Sequence, residues 1–340
     1  MAVKRNARNE AAATLGPGWQ PLVLEPSPPA DLSDPYKADD PVEPDPAFDG
    51  GADATVVTPL AETRMANTIS WSELVANKPE LAHFAAERWL AAWFRLAPLP
   101  STFNVTRNAL HQVAAYLVSP ARRVATGKIG LRHCLEGFGT PFYVEGEGAD
   151  AKTVQIRVEG TELVRQHDDT VDSIQISTLG ACGRFLEMEV DREWTTSDNI
   201  ASAEDLEHPL TPDPEGAKSL AALFGFAFSV LEELRADSDS DQSNRPQIWP
   251  ERFDAAIEVG SEADHLRAGF GVSPGDSVGP NQQPYLYVSP WYTGDLSDDF
   301  WNATSFSGAQ LTYSDLITAS DQRDRALSFF TSGRDLLAKR

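Results

Sequence analysis

Gly271-Val272-Ser273-Pro274-Gly275 has the G-x-S-x-G spacing of a serine-hydrolase nucleophile elbow. In that elbow the residue after the serine donates its N–H to the oxyanion, and Pro274 has no N–H to give. No histidine follows Ser273, and Asp276–Pro280 reads as loop where the elbow needs a helix. A type II turn with Pro274 and Gly275 at its central positions explains these residues instead. Asp237-Ser238-Asp239-Ser240-Asp241 opens like a calcium loop, but Gln242 stands where glycine is needed and Ile248 where a bidentate glutamate is. Gly269-x-Gly271 lacks the third glycine of a dinucleotide fingerprint, since that position is Pro274. With no Cys-x-x-Cys, Walker lysine or H-E-x-x-H motif either, we expect no cofactor and no metal site.

What remains is a surface. Arg252–Val259, Leu266–Val272 and Tyr285–Trp291 each alternate with a period of two, the signature of strands with one buried face. Phe253, Ala255, Ile257 and Val259 face one way, as do Ala268, Phe270 and Val272, and Leu286 and Val288. If the three runs pair as neighbours, their other faces form a wall of Asp254, Arg267, Gly269, Gly271, Tyr285, Tyr287 and Trp291. The expected geometry has Gly269 and Gly271 beneath Tyr285 and Tyr287, a packing device that needs no ligand. Trp249, Glu251, Asp276, Trp301 and Asn302 lie at the strand ends and give the wall an aromatic and polar rim. Such a surface suits a small polar, sugar-like molecule or a protein partner.

Helices must position this sheet. Glu80–Ala97 places Leu81, Ala85, Trp89, Ala92 and Leu96 on one stripe, and Pro98 and Pro100 end it. Ser101 is a candidate cap for a helix carrying Leu110, Val113, Ala114 and Leu117. Ser119-Pro120 reads as a fresh helix start that Gly127 closes. His83 and His111, on these helices, read as surface or boundary residues. Ile129–Ser177 reads as strands with a hairpin at Gly160-Thr161, and Thr178 caps a helix to about Met188. Asp213-Pro214 starts the cleanest helix, with Leu220, Leu223, Phe224, Ala227, Val230, Leu231 and Leu234 in a stripe and Phe226 and Phe228 spilling off it. A last helix is predicted over Ala319–Ala338.

The expected fold class is α+β, mainly antiparallel sheets covered by amphipathic helices, with a disordered acidic N-terminal tail. Residues 1–64 form that tail: between Glu25 and Asp53 nine carboxylates face the single Lys37, with little apolar area to offset ordering entropy. Residues 65–340 form one globular domain, in which the α-then-β order occurs twice, over 65–212 and 213–340. The net charge of −23 argues against nucleic acid, whose affinity comes from basic residues meeting phosphates. The basic cluster Arg122, Arg123, Lys128 and Arg132 could hold an anion or pair with the surplus acid. The start of the chain has no apolar signal core and no later run approaches membrane-spanning length, so the expected setting is cytoplasmic, with no membrane partner. Cys134 and Cys182 read as buried free thiols.

IWPERFDAAIEVG, RAGFGVSPGDSVGPNQQPYLYVSPW, FWNA, SPARRVATGKIGLRH and GFGTPF together resemble a group of uncharacterised actinobacterial proteins, over most of Ser119–Phe330. The resemblance implies a bacterial cytosolic origin and carries no assigned activity and no catalytic residues. Two functional expectations follow from the residues themselves. The first is a non-enzymatic small-molecule-binding or protein-interaction protein using the polar face. The second is an enzyme using carboxylates, Glu251 or Asp254 with Asp276, as acid and base on a polar substrate.

Overall fold

The computed structural model describes residues 3–6, 55–56, 69–70 and 96–339, except 135, 142, 147–151, 168–169, 193–199, 201–202, 238, 241, 245, 278, 293 and 295. The expected tail, the helix predicted over Glu80–Ala97 and His83 thus lie outside the described residues or nearly so. The strands are β1 (Val3–Asn6), β2 (Thr55–Val56), β3 (Ile69–Ser70), β4 (Arg132–Cys134), β5 (Gly137–Gly139), β6 (Tyr143–Glu145), β7 (Lys152–Glu159), β8 (Glu162–His167), β9 (Thr170–Gln175), β10 (Gln247–Trp249), β11 (Asp254–Val259), β12 (Ala268–Ser273), β13 (Tyr285–Pro290) and β14 (Ala309–Thr312). The helices are α1 (Phe103–Val113), α2 (Ser119–Thr126), α3 (Leu179–Leu186), α4 (Pro214–Ala236), α5 (Tyr313–Ile317) and α6 (Gln322–Leu337).

Local chemistry sets most helix ends. The Asp213 side chain accepts from the N–H groups of Glu215 and Gly216 and Pro214 opens α4, while Thr178 caps α3 through Ala181. Gly127 closes α2 with a left-handed φ of 78°. The fresh start expected at Ser119-Pro120 does not occur. The chain runs on from α1 through a π turn, Ala114–Val118, in which the Ser119 N–H reaches back to Ala114. Proline has no N–H, and the widened turn absorbs the missing bond. Ser101 is likewise not the cap of α1, which follows Thr102. The last helix starts at Gln322, because Asp321 caps it and the short α5 turns ahead of it.

Among the described residues all pairings are antiparallel. The first large sheet runs β9-β8-β7-β5-β4, with β1 outside β9 and β6 pairing β7 beyond the point where β5 leaves it. The second runs β10-β11-β12-β13-β14, each strand beside its sequence neighbour. The sheets meet edge to edge at Leu131 and Ile248, where each N–H donates to the other's C=O at 2.8 and 2.7 Å. The α+β class with mainly antiparallel sheets is therefore the observed one. Each α-then-β run ends in an up-and-down sheet, and the strands that begin the two sheets lie side by side.

Helix α4 explains this arrangement. Leu223, Phe224, Ala227, Val230, Leu231 and Leu234 are buried on its stripe, and Phe226 and Phe228 off it, so it must be covered on several sides. It packs on β4 and β5 of one sheet, β11 and β12 of the other, and against α1 and α6. One buried apolar cluster consequently runs from Leu96 to Leu337. Among the described residues no helix is long and apolar enough to cross a membrane.

The seam gives a stability test. Ile248 is wholly buried beside the line where the sheets join, and Ile248→Ala should cost about 2–5 kcal/mol. A denaturant midpoint unchanged from wild type would show that the two sheets do not depend on this junction.

Candidate functional site

The face of the second sheet turned away from α4 holds the chemistry. Register puts Ala256, Gly271, Tyr287 and Gln310 in one cross-strand row, and Ser273, Tyr285 and Thr312 in the next. The expected tyrosines over glycines are half realised. Tyr287 lies on Gly271, where an added Cβ would sit 2.5 Å from ring carbon Cζ. Tyr285 lies opposite Ser273 instead, and Gly269 opposite Ser289. The Gly-x-Gly and Tyr-x-Tyr pairs run antiparallel and overlap at one row, because the turn through 274–284 fixes the register.

Beside Tyr287, at the start of β11, stands Asp254, only 3% exposed. Tyr287 donates its phenol O–H to Asp254 Oδ2. The other oxygen, Oδ1, is buried and accepts no hydrogen bond from any described residue. Burial raises the carboxyl's proton affinity, with a smaller push from Asp276, while the Tyr287 bond, the charge of Arg252 and the residue's own backbone N–H act the other way. Burial, with Asp254 adding to it, holds the Tyr287 phenol well above its ordinary range. Tyr285 is pushed up to about 12 by burial and then by Asp276. Asp276, half-buried on the same edge, is itself raised, chiefly by burial. Phe306 lies across both tyrosines, stacked on Tyr285 at 6.4 Å and edge-on to Tyr287 at 6.2 Å between ring centres. Its loop is tied to the 274–284 turn by Asn281 Nδ2 donating to Ser305 Oγ at 2.9 Å. On the β14 side Gln310 and Thr312 of this same face line a cleft of about 560 Å³, with Asn281, Gln282, Pro284 and Tyr313.

Two side chains of α1 hold the loops that frame this group. Arg107 Nη1 donates to Pro274 O at 3.2 Å and Gln282 O at 2.9 Å, spanning the two ends of the turn. Burial lowers its guanidinium to about 10, against the pull of Asp276. His111, expected at the surface, is in fact 2% exposed. Its Nε2 lies 2.8 Å from Pro250 O, which only accepts, so Nε2 carries the proton and Nδ1 takes the Ser277 hydroxyl at 3.2 Å. The ring stacks on Phe253 at 4.9 Å. Phe253 ends the β10–β11 hairpin loop at φ 56°, a left-handed position unusual for so bulky a residue. Its ring fills the core between Phe138, Phe224 and His111, and that packing holds the strained turn that delivers Asp254.

The remaining candidate residues fall in other places. Trp249 pairs with Asp254 across the hairpin, and Glu251 is half-buried at its tip. Arg267 binds Glu258 Oε2 at 2.8 Å and covers the ring of Trp291, at the opposite end of the strands. Trp301 packs on Phe300, which rests on Phe329 of α6, and Asn302 Oδ1 accepts from Gln310 N at the start of β14. Arg267, Trp291 and Trp301 are thus not gathered with Asp254. The basic cluster is bound up internally: Arg122 donates to Gly130 O, Arg132 to Pro246 O at 2.6 Å, and Arg123 faces Asp191 at 3.6 Å. Lys128 is half-buried beyond the end of α2. The turn at Gly275 has φ 93°, as the type II reading requires, and Ser273 Oγ accepts from Gly275 N. Sequence reasoning missed the roles of Arg107, His111 and Phe306, whose partners are distant in the chain.

Comparison of the chain with protein-family models, curated proteins and solved structures finds no match.

His111 predicts a pH dependence. Burial, which outweighs the other influences, lowers it from 6.5 to about 4. Its folded value lies below the unfolded one, so its stabilising contribution is complete above pH 6.5 and is lost as pH falls towards 4. The loss should be about 3 kcal/mol. Guanidinium unfolding across this range should show the slope, and His111→Gln should flatten it. His133, buried and held near 3, leaves a residual loss of the same sign in that variant.

Proposed function

We propose that this protein binds a small polar ligand on the outer face of the second sheet, at Asp254, Tyr285, Tyr287 and Asp276, without transforming it. The observation that carries the reading is Asp254 Oδ1, a buried acceptor with no hydrogen bond from a described residue. Leaving such an oxygen unmatched costs about 1–3 kcal/mol, so a ligand that donates to it gains that much in addition to its other contacts. The ring of Phe306 supplies apolar area over the two tyrosines, and Gln310 and Thr312 of the same face line a neighbouring cleft. A cytoplasmic setting belongs to this reading and is supported by the buried free thiol of Cys182. The charge of −23 supports a partner that is not nucleic acid.

A second reading, acid and base catalysis by Asp254 and Asp276, draws support from their unlike surroundings, one enclosed and one half-open. It requires turnover of any ligand that binds, and a ligand recovered unchanged after prolonged incubation would end it.

Binding is tested by a thermal-shift screen of the full chain against sugars, polyols, amino acids and amines. A ligand that meets only the native state raises Tm in proportion to ln(1 + [L]/Kd). Asp254→Asn keeps an acceptor for Tyr287 but turns an N–H₂ towards the ligand's donor, so the shift should disappear. A shift that survives this variant, or a screen with no response, refutes the site.

A further inference from the structure

We propose that the ligand is an organic ammonium, its N–H donating to Asp254 Oδ1 while the rings of Tyr285, Tyr287 and Phe306 surround the cation. This rests on the reading of the face as a small-molecule site and adds the ligand's chemical class. Three observations lead to it. First, the group brings two carboxyls to one edge. No described guanidinium or ammonium lies within ion-pairing distance of Asp254 or Asp276. Arg107, the buried cation nearby, is committed to Pro274 O, Gln282 O and Asn108 Oδ1. Arg252 acts on Asp254 through space from an exposed position.

Second, the three rings form one cluster, with centres 6.2 Å apart for Tyr285 and Tyr287, 6.4 Å for Tyr285 and Phe306, and 6.2 Å for Tyr287 and Phe306. Ring faces attract a cation and give a neutral hydroxyl no comparable gain. Third, a neutral alcohol would satisfy Oδ1 but add no charge to the through-space influence of Arg252, whereas an ammonium satisfies the oxygen and pairs directly with the carboxylate. Tyr287 already fills Oδ2 and fixes the carboxylate plane, so the direction of the incoming N–H is set in advance.

In this proposal Phe306 is the cover. It sits in a run of bends, 304–308, whose other side chains are mostly exposed, and Asn281 to Ser305 is its tie to the facing turn. A ligand reaches Asp254 by displacing this ring from the tyrosines and is then covered by it.

The experiment is a calorimetric and thermal-shift titration of the full chain at neutral pH with ethanolamine and benzylamine. Each is set against the alcohol of the same skeleton, ethylene glycol and benzyl alcohol. The expected result is binding of an amine and none of its alcohol, with the amine response lost in Asp254→Asn. Phe306→Ala, a change in an exposed loop, should weaken amine binding by about 3- to 30-fold, the value of one ring to a cation. Equal or tighter binding of the alcohols overturns the ammonium assignment and leaves the polar-ligand reading standing. Amine binding unchanged in both variants overturns it by placing the amine elsewhere. No response to either amine also overturns it, and the wider screen then decides the reading beneath it.

Discussion

A helix that is apolar around most of its circumference has to be buried on most sides, and the rest of this structure is arranged to do that for α4. Helix α4 packs on strands of both large sheets, which are laid edge to edge. Leu131 and Ile248 join them by a reciprocal pair of backbone hydrogen bonds, which satisfies groups that an edge would otherwise leave open. Helices α1 and α6 close the remaining sides. With the inner face of the second sheet committed to α4, its other face carries Asp254, Tyr285 and Tyr287.

How that chemistry is positioned also traces back to the core. Phe253 occupies a left-handed turn position that glycine would take with less strain. Its ring is held by Phe138, Phe224 and His111, and contacts of this kind offset a local strain of about 1–3 kcal/mol. The next residue is Asp254. The carboxyl is therefore aimed by the packing of its neighbour, and the same core histidine ties down Pro250 and Ser277 on either side of it. A change in that packing would move the carboxylate without touching it.

The strands and faces of this region were legible because period-two alternation and turn residues are local signals. Asp213-Pro214, Thr178 and Gly127 announced helix ends for the same reason. The row in which Tyr287 covers Gly271 was readable, but its neighbour was not. Register depends on the length and shape of the turn at 274–284, and a shift of two residues keeps every face correct while changing every partner. His111 defeated sequence reasoning because its partners lie 139 and 166 residues away. On the helix alone its place suits a boundary residue. The basic residues near Gly127 looked free because backbone carbonyls, which take up Arg122 and Arg132, leave no trace in a sequence. Arg267 and Trp291 alternate correctly with the site residues yet lie at the other end of the strands, since alternation reports the face and not the height along it.

Both large sheets are antiparallel but treat their polar faces differently. On the first sheet Arg157 donates to Gln155, Gln166 and Glu159, and Gln155 donates onward to Thr140 O. This buried network spends the guanidinium on partners within its own sheet, and a network satisfied in that way rigidifies the face it occupies. On the second sheet the corresponding polar group is a carboxyl with one oxygen bonded to Tyr287 and the other accepting from no described residue. Buried polar atoms that lack a partner are uncommon, because the cost is not recovered within the fold. The first face needs no outside molecule to explain its composition. On the second, one oxygen of Asp254 accepts from no described residue, and that is the position the proposed ligand would fill.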